Sequence, residues 1–202
     1  LLGLSDETLR QLVDGDTLKN YAHYLKKLFL TKPHRLSERE EQMMNDFSLT
    51  GADAFTRLFD EELSRKKFCV AIGGETYECP EEEVFNLLYD ADREKRKAGA
   101  DAMTKGLWED LWRLTYIFNN LAEDKHISDR YEKYTTPEAA RHLANETTQE
   151  MVDMMSAAVS ESVSVVADYY DLKREILGLP ELYDYDRYAP VLASEKIYSF
   201  DE

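Results

Sequence analysis

Cysteine is nearly missing: Cys69 and Cys79 are the only two among 202 residues. Two thiols give neither a disulfide framework nor the ligand quartet of a structural zinc site, and a reducing compartment is their simpler setting. Glycine and proline are sparse too, at 8 and 5, and long stretches hold neither. These residues punctuate chains, so their scarcity favours helices. Positive charge is in deficit, with 25 Lys and Arg against 41 Asp and Glu, a formal net charge of −16. Such a surface repels phosphate backbones and anionic lipid, which argues against nucleic-acid and membrane partners. No apolar run reaches the length of a membrane span and no signal peptide opens the chain. Catalytic signatures are missing as well. His23, His34, His126 and His142 never stand four apart, so no His-Glu-x-x-His forms. Neither cysteine sits in a C-x-x-C, and no P-loop, G-x-G-x-x-G or G-x-S-x-G occurs.

What is present is a run of helical patterns. Hydrophobic residues make up 43 %, ordinary for a chain with a real core. "LSDETLRQLVDG" reads as a short helix capped by Ser5. "TLKNYAHYLKKLFL" sets Leu18, Tyr21, Leu25, Leu28 and Phe29 at helical spacing. "LSEREEQMM" opens with a capping box, Ser37 at N-cap and Glu40 at N3. "GADAFTRLFDEELSRK" carries Phe55, Leu58, Phe59 and Leu63 as one stripe. The one interruption, about 67–79, is "FCVAIGGETYEC". Gly73-Gly74 predicts a type I′ hairpin turn. That register sets Ile72 against Glu75, Val70 against Tyr77 and Phe68 against Cys79. Phe68, Val70, Ile72, Tyr77 and Cys79 then share an apolar face and Cys69 points away, so the two thiols stay unbonded. Pro80 is expected to open the next helix, ahead of three glutamates. A much longer helix is expected over the stretch from Asp92 to Asp124, a short one from Thr136, and the longest from about Thr148 to Leu177. The fold expected is mainly α: an elongated multi-helix body with one small hairpin, a single segment over 1–202.

Most conspicuous side chains have a plain packing role on this reading. Met151, Met154 and Met155 are expected to fill core, as are Trp108 and Trp112, which make one stripe at i, i+4. The acidic runs read as solvated helix faces. His142 and Glu146 in "HLANE" stand at i, i+4 but read as surface residues rather than half a metal site. Tyr183, Tyr185, Arg187 and Tyr188 are different. They follow the helix stop at Gly178-Leu179-Pro180, in the kind of segment where functional groups collect. They could line a peptide-binding groove by stacking and hydrogen bonding, or pack a loop onto the helices. No catalytic or metal-ligating residue is read from the chain.

The order of the segments goes further. "KPHRLSEREEQMM", "SLTGADAFTRLFDEELSR", "DADREKRKAGADAM", "YTTPEAARHLANETTQEMVDMM" and "YYDLKREILGLPELYDYDRYAPV" together resemble the oligoendopeptidase F family of thimet-oligopeptidase-like zinc metallopeptidases, in the family's order. The resemblance implies a helical lobe of an enzyme that hydrolyses short peptides in a deep cleft. It implies zinc in the intact enzyme, held by a His-Glu-x-x-His helix and a later Glu, with that motif's Glu as general base. No position in this chain matches those ligands. The expectation is therefore an N-terminal-side portion, cleft wall and scaffold, inactive alone and holding no metal. Its partners would be short peptides and the missing catalytic portion of its own chain, in a cytoplasmic setting. Apolar surface left uncovered would favour self-association. Ser199 and Glu202 fit a second capping box, as if a further helix began there. The alternative is a stand-alone helical interaction module.

Overall fold

The computed structural model describes residues 5–14 and 16–192; Ser199 and Glu202 lie outside them. The helices are α1 (Asp6–Asp14), α2 (Ala22–Thr31), α3 (Glu38–Ser48) and α4 (Ala52–Arg65), then a hairpin of β1 (Phe68–Ile72) and β2 (Glu75–Cys79). After it come α5 (Glu81–Leu87), α6 (Arg93–Glu109), α7 (Leu111–Tyr131), α8 (Ala139–Ala144), α9 (Gln149–Glu161) and α10 (Val163–Ile176). The mainly α expectation with one small hairpin holds.

Local chemistry explains many boundaries. Ser37 caps α3 by accepting from the Glu40 amide, and the Glu40 carboxylate accepts from the Ser37 amide at 2.8 Å. The Ser5 hydroxyl accepts from the Thr8 amide at 3.2 Å at the head of α1. Pro80 is the N-cap of α5 rather than its first residue. Two of the expected long helices are broken. At Asp110 the backbone leaves helical angles, so α6 and α7 are separate. At Ser162 (φ −93°, ψ 3°) α9 stops and α10 starts. Neither break carries a proline or glycine, which is why the pattern runs through both.

The chain divides into two compact units: residues 1–55 with 118–157, and residues 56–117 with 158–202. In the first, Leu25 of α2 is buried, and His34 stacks on Tyr134 with centroids 4.0 Å apart. Glu146, at φ 56°, bonds His23 at 2.7 Å and Lys27 at 3.0 Å.

The second unit holds a cluster of buried apolar residues built on the hairpin. The hairpin register is the one the glycine turn predicts, with Phe68 opposite Cys79, Val70 opposite Tyr77 and Ile72 opposite Glu75. Gly73 and Gly74 take φ of 60° and 87°, the positive values that turn demands. Phe68, Val70 and Cys79 are buried and meet Val84 of α5 and Ala102 of α6. Tyr77, expected on that face, stays 43 % exposed. Cys69 is exposed and both cysteines are free. Small residues let α6 approach its neighbours closely: Gly99 faces Val84 and Leu87 of α5, Ala102 joins the buried cluster, and Gly106 faces Phe68 of the hairpin. A Cβ at Gly106 would lie 2.5 Å from the Phe68 ring, so glycine alone allows this approach.

Two expectations fail. Trp108 and Trp112 do form one stripe, but they are 72 % and 71 % exposed. Met151, Met154 and Met155 are also more than half exposed. Helical periodicity says which side of a helix is apolar; it does not supply the neighbour that covers it.

Candidate functional site

The four residues singled out after the helix stop lie together, in the second unit. Helix α10 ends in a Schellman motif: Gly178 at φ 62° donates to the Glu175 carbonyl, and Leu179 donates to the Arg174 carbonyl. Pro180 then prevents the helix from resuming. The chain turns through a short 3-10 turn at Asp184–Asp186, and what pins this turn is a residue sequence reasoning did not single out.

Asp186 is fully buried. Its carboxylate accepts from Arg93 Nε at 3.2 Å and Arg93 Nη2 at 2.8 Å, from Arg96 Nη2 at 2.9 Å and from the Tyr183 amide at 3.1 Å. Burial alone would raise its pKa. The bonds from Arg93, Arg96 and Tyr183 outweigh that and hold it at about 2. The Arg93 guanidinium is held above its ordinary range, chiefly by its bond to Asp186. Lys173 of α10 is buried behind the turn and donates to the Arg187 carbonyl at 2.6 Å. Burial pushes its ammonium below the usual range, with Arg96 adding to the effect and Asp186 opposing it.

Two guanidiniums thus converge on one carboxylate, with the Lys173 ammonium nearby on the Arg187 carbonyl. Backbone carbonyls take up the excess donors. Arg96 Nη1 reaches the carbonyls of Asp90 and Ala91 at 2.8 and 2.9 Å, and Arg93 Nη2 reaches that of Glu181 at 2.9 Å. Arg96 Nε is buried without a hydrogen-bond partner among the described residues.

On this anchor the aromatic rings are ordered. Tyr183 and Tyr185 stack at 5.4 Å and 10°, and the Arg93 guanidinium lies 5.6 Å from each ring centroid. The Tyr183 hydroxyl donates to Glu181 at 2.9 Å, which raises its pKa. Tyr188 stacks on Tyr89 at 4.7 Å, and Arg187 lies 4.9 Å from the Tyr188 centroid. Tyr183, Arg187 and Tyr188 remain exposed and Tyr185 is half-buried. Tyr183 and Tyr185, with one guanidinium already over them, suit stacking against planar or cationic groups and hydrogen bonding to amides.

Arg93, Arg96, Lys173 and Tyr89 were missed along with Asp186. The i, i+3 spacing of Arg93 and Arg96 marks one helix face, but nothing local says that a carboxylate 90 positions later will meet it.

The residues present do not fit a zinc site. Among the described residues no three His, Cys, Asp or Glu side chains converge so as to hold a metal ion. His142 bonds Gln149 at 3.1 Å. Glu146 is taken up by Lys27 and His23. No chemical step is therefore routed through a metal in this chain.

Residues 1–68 match the family model described as Oligopeptidase F. Over 205 residues the chain is 24 % identical to the group B oligopeptidase PepB of Streptococcus agalactiae serotype III (strain NEM316), covering 100 % of this chain and 34 % of that protein. It is 24 % identical over 206 residues to the oligopeptidase PepF of Bacillus subtilis (strain 168), covering 95 % of this chain and 29 % of that one. The solved oligoendopeptidase-F of Enterococcus faecium superposes with a TM-score of 0.78 at 21 % identity, over 96 % of this chain and 39 % of its own. The chain spans about a third of the length of the curated relatives it matches.

Proposed function

We propose that this chain, a relative of the oligoendopeptidase F proteins, is the N-terminal-side portion of a peptide hydrolase and supplies scaffold and cleft wall rather than the reacting groups. The observation that carries the reading is the ordered aromatic segment, set by the buried Asp186 into a surface suited to peptide, in a chain whose whole length resembles oligopeptidases. In the protein of oligoendopeptidase length, zinc and its ligands would come from outside these 202 residues. Here Tyr183, Tyr185 and Tyr188 would stack on substrate side chains, and Arg187 would bond backbone carbonyls of a short unstructured peptide. Asp186, Arg93 and Arg96 are positioning residues: they fix the turn that carries the rings. We place the protein in the cytoplasm. Among the described residues no helix is long and apolar enough to cross a membrane.

The test has two arms. The 202-residue chain, mixed with a fluorogenic oligopeptide library, should give no turnover. In the oligoendopeptidase-length protein, Tyr183→Ala with Tyr185→Ala should raise KM several-fold and leave kcat within about twofold, because a wall residue binds ground state and transition state alike. An unchanged KM, or turnover that co-purifies with the short chain, would refute the assignment.

A further inference from the structure

Acid borders the stacked pair of Tyr183 and Tyr185. The Tyr183 hydroxyl donates to Glu181 Oε2 at 2.9 Å, which holds that carboxylate at the edge of the ring. Asp184 Oδ1 accepts from the Tyr185 amide at 2.8 Å, which holds a second carboxylate against the backbone joining the two rings. Glu181, Tyr183 and Asp184 are all exposed. The basic residues at the head of α6 are paired with other acids: Arg93 and Arg96 with Asp186, Lys95 with Asp90, and Lys97 with Asp101. None of these pairs includes Glu181 or Asp184. Arg187, the one cation in the turn itself, lies over Tyr188. Arg93 does stand 5.6 Å from the Tyr183 centroid, but Asp186 neutralises it and Tyr183 stays 48 % exposed. The bond to Glu181 also feeds electron density into that ring, which deepens the negative face that attracts a cation.

We propose that the Tyr183–Tyr185 pair selects a cationic side chain of the peptide, arginine before lysine. The guanidinium would lie on the open part of the Tyr183 ring and donate to Glu181, with Asp184 adding attraction at longer range. The inference rests on the functional reading above and adds to it the substrate class. Arginine comes first because its flat, weakly hydrated cation stacks on a ring and forks onto a carboxylate at once, whereas an ammonium is a point charge. An acidic side chain would meet Glu181 and Asp184 with like charge. An apolar one would take water from both carboxylates and return no partner. The net charge of −16 attracts any cationic peptide from a distance. What this site adds is a preference that depends on two particular carboxylates.

Fluorescein-labelled octapeptides that differ in one central residue decide it, titrated into the 202-residue chain and followed by polarisation. The central residue is Arg, Lys or citrulline, the neutral isostere of Arg. At about 0.15 M NaCl, where long-range attraction is screened, the Arg peptide should bind about fivefold tighter than the citrulline peptide, with Lys between them. Glu181→Gln with Asp184→Asn keeps an acceptor for Tyr183 and Tyr185 and should bring the Arg and citrulline peptides within about twofold of each other. Glu150→Gln with Asp153→Asn removes the same charge from α9, in the first unit, and should leave the preference as it was. Binding of neither peptide, equal binding of both, or a preference that falls equally in the two double variants overturns the proposal. Kinetics of the oligoendopeptidase-length protein then separate the two readings. Tyr183→Ala with Tyr185→Ala should raise KM more for the Arg substrate than for the citrulline one. An equal rise would keep the functional reading and remove the cation preference. No rise for either would remove both.

Discussion

Asp186 ties the turn after α10 to Arg93 and Arg96 of α6. Its folded pKa of about 2 lies below the ordinary 3.8. The sign follows: a depressed carboxylate stabilises fully above pH 4, and that contribution, roughly 2 kcal/mol, is lost as pH falls from about 4 to about 2. Asp186→Asn leaves Arg93 and Arg96 without their counter-charge, and should cost about 3 kcal/mol in urea unfolding at pH 7. The gap between the two proteins should narrow as pH drops through that window. A gap that stays constant to pH 2 would mean that the charge of Asp186 is not what matters. Cysteine gives a second residue-scale expectation. Cys79 is buried, and burial raises its thiol pKa, while Cys69 is exposed. Thiol titration of the native chain should find one fast group, and denaturation should release the second. A native chain with two fast thiols would place the hairpin differently.

Among the elements, α6 sets how closely the hairpin can pack. Gly106→Ala drives a methyl into the Phe68 ring, which has the hairpin, α5 and α6 around it and little room to move. The expected loss is about 1–3 kcal/mol, although alanine is the better helix former by about 1 kcal/mol. A thermal midpoint that rises instead would show that helix propensity outweighs the clash. The same element scale shows where pattern reading falls short. The breaks at Asp110 and Ser162 divide what periodicity joins. At Asp110 the carboxylate is held by Lys66 at 2.5 Å and by Arg113. Lys66 lies 44 positions away in sequence, beyond the reach of any window-based reading. No tertiary bond of this sort explains the break at Ser162.

For the whole molecule, the exposed apolar surface and the charge of −16 act against each other. Self-association through Trp108 or Trp112 has to bring two strongly negative chains together. Salt screens that repulsion and leaves the apolar term intact. Sedimentation velocity should find a monomer at low ionic strength and growing association in about 0.5 M NaCl. Association that weakens with salt would point to ion pairs instead.

The sequence by itself determined what depends on neighbours along the chain. Ser37 with Glu40, Gly73-Gly74 with its register, Gly178 as a helix stop, and the helical class all rest on backbone chemistry within a few residues. It also drew attention to Tyr183, Tyr185, Arg187 and Tyr188, because a polar aromatic cluster after a stop is visible locally. Only the tertiary structure decided what lies against what. It brought Asp186 to Arg93 and Arg96, turned Gly106 into a contact with Phe68, and left Trp108, Trp112 and Met155 in the open. Burial and ion pairing are properties of residues far apart in the chain, and no local pattern encodes which partner arrives.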